Sequence, residues 1–95
     1  MKQHFSMMAT YNAWANHILF EAAETVDDAL YRRDEGAFFK SLHGTLNHML
    51  IADRIWMHRF TGEGPQPSAL DEIAHDDLKA LHMARRDEDT RIIDF

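Results

Sequence analysis

The stretch from Phe39 to Phe60, FKSLHGTLNHMLIADRIWMHRF, decides the fold. Its apolar residues Phe39, Leu42, Leu46, Met49, Leu50, Trp56, Met57 and Phe60 recur at three- and four-residue steps, the period of a helix. They spread over a side wider than a helix packed against a single neighbour needs. The segment they mark runs from about Ala37 to Phe60, and two similar segments flank it. From about Lys2 to Thr25, Phe5, Met8, Tyr11, Ala15, Ile18, Leu19 and Ala22 mark an apolar face that Trp14 broadens. From Ser68 to the end, Leu70, Ile73, Leu78, Leu81, Ala84 and Ile92 do the same, behind an expected capping box of Ser68 and Asp71. Alternation is absent and β-branched residues are few, so strand readings fail. The expected fold is all-α, with three long helices.

Between these segments the punctuation is sharp. The charged run from Asp27 to Gly36 separates the first two, and Thr61-Gly62-Glu63-Gly64-Pro65-Gln66-Pro67 separates the second from the third. Both read as linkers. With 95 residues the chain makes one domain, 1–95, and has no repeat. Its last residues, Arg91-Ile92-Ile93-Asp94-Phe95, carry no glycine, asparagine or proline stop signal, and three of the last four are large and apolar. A broad apolar middle helix and an apolar end imply a further packing partner. Either a fourth helix is missing from this chain or a second copy supplies the surface, as in a homodimer.

Composition excludes several functions. No cysteine is present, so disulfide scaffolds, cysteine nucleophiles and thiolate metal sites are ruled out. The formal charge of −6 argues against nucleic acid and against anionic membranes as partners. No apolar run approaches spanning length, and no signal-like block follows the first residues. The expected location is the cytoplasm. Glycine-rich phosphate loops and nucleophile elbows are absent too.

The seven histidines, His4, His17, His43, His48, His58, His75 and His82, call for a geometric test of metal binding. Two ligands on one helix sit three or four residues apart, and no histidine pair here does. His43 and His48 are five apart, about 140° around a helix. His75 and His82 share a face but lie roughly 10.5 Å apart along a helix axis. Any site must therefore be assembled between helices. His48 lies at the border of the apolar face, either as a ligand or as a partly buried, hydrogen-bonded histidine. His43, His58 and His82, with charged or polar neighbours, read as surface residues. His17 with Glu21 at i+4 reads as an exposed pair. Glu72-x-x-His75 has the spacing of carboxylate di-iron bundles, but the middle helix has no glutamate to complete such a site. Asn12 and Asn16, one turn apart beside the first apolar face, either fix helix register through an inter-helix bond or support a ligand from behind.

Two runs together carry a resemblance. Met8-x-x-Tyr11-Asn12-x-Trp14-Ala15-Asn16 and Phe39-x-Ser41-Leu42-His43-Gly44-Thr45-Leu46-Asn47-His48-Met49-Leu50-x-Ala52-Asp53-x-x-Trp56, continued by Phe60-Thr61-Gly62-Glu63, resemble the DinB family over nearly the whole chain. The resemblance implies a four-helix bundle around one divalent metal, zinc or nickel, held by three histidines. His48, in the Thr-Leu-x-His segment, would be one ligand; the other two would come from a His-x-x-x-His motif on a fourth helix that this sequence does not contain. Asn12, Asn16 and Asp53 would be candidates for outer support. The implied chemistry is metal-dependent hydrolysis or thiol S-transfer on a small molecule. The competing reading is a non-catalytic helical dimerisation module.

Overall fold

The computed structural model of the chain describes residues 2–34, 36, 41–69 and 72–95, with side chains from residue 5 onward. Phe39, Leu70 and Asp71, and the side chain of His4, fall outside the described residues. Four helices follow one another: α1 (Lys2–Glu24), α2 (Asp28–Arg32), α3 (Leu42–Thr61) and α4 (Leu78–Asp94). The all-α expectation with three long helices is met. The first linker, however, is not a plain loop, because Asp27 caps a five-residue helix by accepting the Ala29 N–H at 2.8 Å.

Local chemistry fixes the ends of α3. The Ser41 hydroxyl accepts the Gly44 N–H at 2.9 Å and so satisfies one of the orphan donors of the first turn. Gly62 stops the helix in the left-handed region at φ 72°, donating its N–H to the His58 carbonyl. Beyond it, Gly64 at φ 85° lets the chain pass against the Arg91 guanidinium, where a Cβ would lie 2.7 Å from Nη2. Arg91 in turn donates to Thr61 Oγ1 and to the Glu63 carbonyl, clasping this turn onto α4.

The third long helix corrects the sequence reading. It starts at Leu78, with Asp77 as its cap accepting the Ala80 N–H at 3.1 Å, not at Ser68. Ser68 donates instead to the Glu72 carboxylate. The described residues from 72 to 77 are held across α3 and α2 in a non-helical path. The His75 N–H donates to Asn47 Oδ1 at 3.0 Å, and Arg32 binds both the carboxylate and the carbonyl of Asp76. A backbone donor spent on Asn47 is not free for a helical ladder. The i, i+3 alignment of Glu72 and His75 is therefore not realised on a helix.

In the packing, α4 lies between α1 and α3, and α2 lies on α3. The core joins Phe20 and Ala23 of α1, Tyr31 of α2, Leu46 and Leu50 of α3, and Leu81 and Ala84 of α4. It gathers where α1 ends and α3 and α4 begin. At the opposite end the rings of Phe5, Phe95, Phe60 and Trp56 form a row, edge-to-face between Phe5 and Phe95 and stacked between the others, while remaining exposed. The expected inward face of α1 is also corrected. Phe5, Met8, Tyr11 and Ile18 are exposed, and the residues turned inward are Ala9, Asn16, Phe20 and Ala23. Small residues at 9 and 23 let α4 approach closely, which a face of Met8, Tyr11 and Ile18 would prevent. No helix among the described residues is long and apolar enough to cross a membrane.

Phe20→Ala should lower the unfolding free energy by about 3–5 kcal/mol, because it opens a cavity at the junction of α1 and α4. Met83→Ala, on the exposed side of α4, should stay within about 0.5 kcal/mol of the parent. Urea unfolding followed by helical circular dichroism distinguishes the two.

Candidate functional site

His48 lies in the middle of α3 and is half-buried. The residues around it are firmly placed. Leu46 and Leu50 belong to the core, and Asn47 is fully buried. The Asn47 amide donates to the His43 carbonyl one turn back at 3.0 Å and accepts from the His75 backbone. Position 48 therefore sits on a rigid part of the fold.

Five residues before it, His43 departs from the surface position expected of it: it is 5% exposed. Its Nδ1 is 2.6 Å from the Tyr31 hydroxyl, and its Nε2 is 3.6 Å from Asp76 Oδ1. With Tyr31 donating to Nδ1, the proton on Nε2 faces the Asp76 carboxylate. Burial pulls the His43 pKa below its usual value, helped by the Arg32 charge and opposed by Asp76 and Asp28. Burial also pushes the Tyr31 hydroxyl up to about 12. The order Asp–His–Tyr resembles that of a nucleophilic triad. Tyr31, however, is 1% exposed and stays protonated at neutral pH, so the line fastens α2 to α3 and presents no nucleophile to solvent.

A second polar cluster lies between the long helices. Arg85 Nη2 donates to Asp53 Oδ2 of α3 at 2.6 Å and to Asp89 Oδ1 at 2.8 Å. The Asn16 amide of α1 donates to both oxygens of Asp89 at 3.1 and 3.3 Å. The register reading of Asn16 is thereby realised, whereas Asn12 is exposed. Desolvation raises the Asp89 pKa, against the pull of Arg85 and Asn16. Asp53, a candidate for supporting a metal ligand, is here the partner of Arg85.

The other histidines scatter. His17 pairs with Glu21 at 2.8 Å on the exposed side of α1, as the spacing predicts. His82, read as a surface residue, is mostly covered: its ring stacks on Phe20 and its Nδ1 meets Glu24 at 2.7 Å. His58 is half-buried. Among the described residues, no group of three or more histidine or carboxylate side chains converges so as to hold a metal ion. Sequence reasoning missed Tyr31, Asn47, Arg85 and Asp89. The i, i+4 spacing of Arg85 and Asp89, and of His43 and Asn47, was the available signal, but spacing alone does not reveal burial.

The family model described as "DinB family" matches residues 1–95. The chain belongs to the DinB family. Among curated proteins it is similar to Protein DinB of Bacillus subtilis (strain 168), at 28% identity over 53 residues, 56% of this chain and 31% of that protein. The match thus spans about a third of the relative's length. No solved structure matches the chain. Within this DinB-family chain, the Thr45-Leu46-Asn47-His48 segment lies in α3 and carries the core residue Leu46 and the fully buried Asn47.

The folded state holds His43 below its unfolded pKa of about 6.5, so unfolding takes up a proton as the pH falls through that range. Stability should rise with pH up to about 6.5 and fall below it, by at most about 1.4 kcal/mol per pH unit from this group. In His43→Gln the protein should be less stable throughout, and that part of the slope should vanish. Denaturation curves at a series of pH values provide the check.

Proposed function

We propose that this DinB-family chain contributes His48 as one imidazole ligand of a divalent-metal site, zinc or nickel. The site would serve metal-dependent hydrolysis or thiol S-transfer on a small-molecule substrate. The observation that carries the reading is the placement of His48. It is half-buried, mid-helix, and flanked by core residues in a chain that matches the family along its length. A ligand has to be held in place by its surroundings, and Asn47 and Leu46 provide that hold.

The described residues do not fit a complete site. One imidazole holds a divalent ion weakly, since tight sites use three or four protein ligands. The enzymatic reading thus belongs to an assembly in which two further ligands join His48, and it rests on family membership. A second reading, a helical dimerisation module without catalysis, is favoured by a separate observation, the exposed apolar stripe along α1.

Titration of the purified 95-residue protein with zinc or nickel, followed by NMR of its histidine ring protons, tests the first reading. Binding should be weak, the His48 signals should be among those that shift, and His48→Ala should reduce affinity several-fold. One ion per chain, tightly held and retained in His48→Ala, would remove His48 from the site.

A further inference from the structure

The described residues between Pro65 and Ala74 fold back over the second half of α3, and a cleft of about 320 Å³ opens between the two. That volume lies at the small end of the range for small-molecule sites. The lining includes Arg54, Gln66, Pro67, Ser68, Glu72 and Ile73. Arg54 stands seven residues after Asn47, about two helical turns on, so it shares the inward face of α3 to which His75 is tied. Three arginines among the described residues are covered wholly or in part: Arg54, Arg85 and Arg91. Arg85 and Arg91 each bind carboxylates. Arg54 binds none among the described residues, and its Nε is buried without a hydrogen-bond partner.

A guanidinium stays charged throughout the pH range of a folded protein, so Arg54 does not relieve its burial by losing a proton. It needs an anion. Glu72 lines the same cleft, yet the two opposite charges form no ion pair with each other. Glu72 is held instead by Ser68 Oγ, which donates to it at 3.4 Å, the long end of a hydrogen bond. We propose that the cleft binds a small zwitterion of the α-amino-acid type. Its carboxylate lies on Arg54, its ammonium on Glu72, and its side chain on the apolar wall of Pro67 and Ile73. The proposal does not rest on metal binding by His48.

Charge favours a zwitterion over a simple ion. The net charge of −6 repels an approaching anion, and Glu72 in the wall repels a carboxylate that brings no cation with it. A cation alone would leave Arg54 unpaired. A molecule carrying both charges satisfies both groups and approaches as a neutral. The planar match of guanidinium to carboxylate then fixes one end of it. The wall is also held in place beforehand. Pro65 and Pro67 fix their own φ, Arg91 clasps the Glu63 carbonyl just before them, and the His75 N–H is fastened to Asn47 just after Ala74. A wall already ordered spares the ligand the cost of ordering it.

Titration of the full 95-residue chain with L-leucine, followed by NMR of the Arg54 Nε–H and Ile73 methyl signals, tests this. Both signals should shift, with a dissociation constant on the order of 1 mM for so small a ligand. Isocaproate, which lacks the ammonium, and isoamylamine, which lacks the carboxylate, should each bind at least about tenfold more weakly. Arg54→Gln should abolish binding while leaving the helical circular dichroism unchanged. Glu72→Gln, at a half-buried position outside the helices, should weaken leucine and strengthen isocaproate, an inversion that loss of folding does not produce. No shift of either signal up to roughly 50 mM leucine, well above that constant, would overturn the proposal. So would isocaproate binding as tightly as leucine, or leucine binding unchanged in Arg54→Gln.

Discussion

The Arg85 guanidinium, 1% exposed, holds the three long helices in fixed relation. Through Nη2 it binds Asp53 on α3 and Asp89 on its own helix, and Asp89 takes both of its remaining bonds from Asn16 on α1. Since α4 stands between α1 and α3, the position of either outer helix is transmitted through α4. Apolar side chains at such an interface tolerate sliding, because hydrophobic attraction has no direction. A buried charge does not, because its partners must stay within hydrogen-bond reach. The arrangement is costly: two carboxylates share one cation, desolvation raises Asp89, and Arg85 Nε and Nη1 find no partner among the described residues. Such a cluster specifies register at some expense of stability.

Much of this architecture is written locally. The apolar stepping places α3 and its end near Phe60, the structure supplies the Ser41 cap and the Gly62 stop that fix its bounds, and the all-α class follows from the same stepping in the flanking segments. Failures came where a distant residue decided. Ser68 looks like a cap, and nothing near it says that Asn47, 28 positions from His75, will take the backbone donor that a helix from Ser68 would need. On α1, periodicity offers two apolar stripes. Hydrophobicity alone favours the bulkier one, with Tyr11 and Ile18, whereas close packing favours Ala9, Ala23 and an asparagine with a carboxylate to meet. His43 was read as exposed because its cover, Tyr31, lies in a run that looked like a charged linker.

The candidate site shows the same division. His48 stands out in the sequence because the run around it is distinctive, and in the structure α3 is braced on both sides of that position. Asn47 and the Tyr31–His43 pair brace α3 on one side of position 48, and the Asp53–Arg85 bond braces it on the other. Asp53 and Asn16, which the sequence offered as supports for a ligand, serve the Arg85 cluster. His48 and the outer stripe of α1 are separate features of one frame, and both depend on α1, α3 and α4 keeping their register.

A double-mutant cycle on Arg85 and Asp89, measured by urea unfolding, tests that dependence most directly. Arg85→Leu alone should lower the unfolding free energy by about 3–5 kcal/mol, because it strands two carboxylates. Adding Asp89→Asn should then recover at least about 1 kcal/mol, a coupling typical of residues in one network. If Arg85→Leu stays within about 0.5 kcal/mol of the parent, or if the two changes simply add, the cluster does not set the register and the account fails.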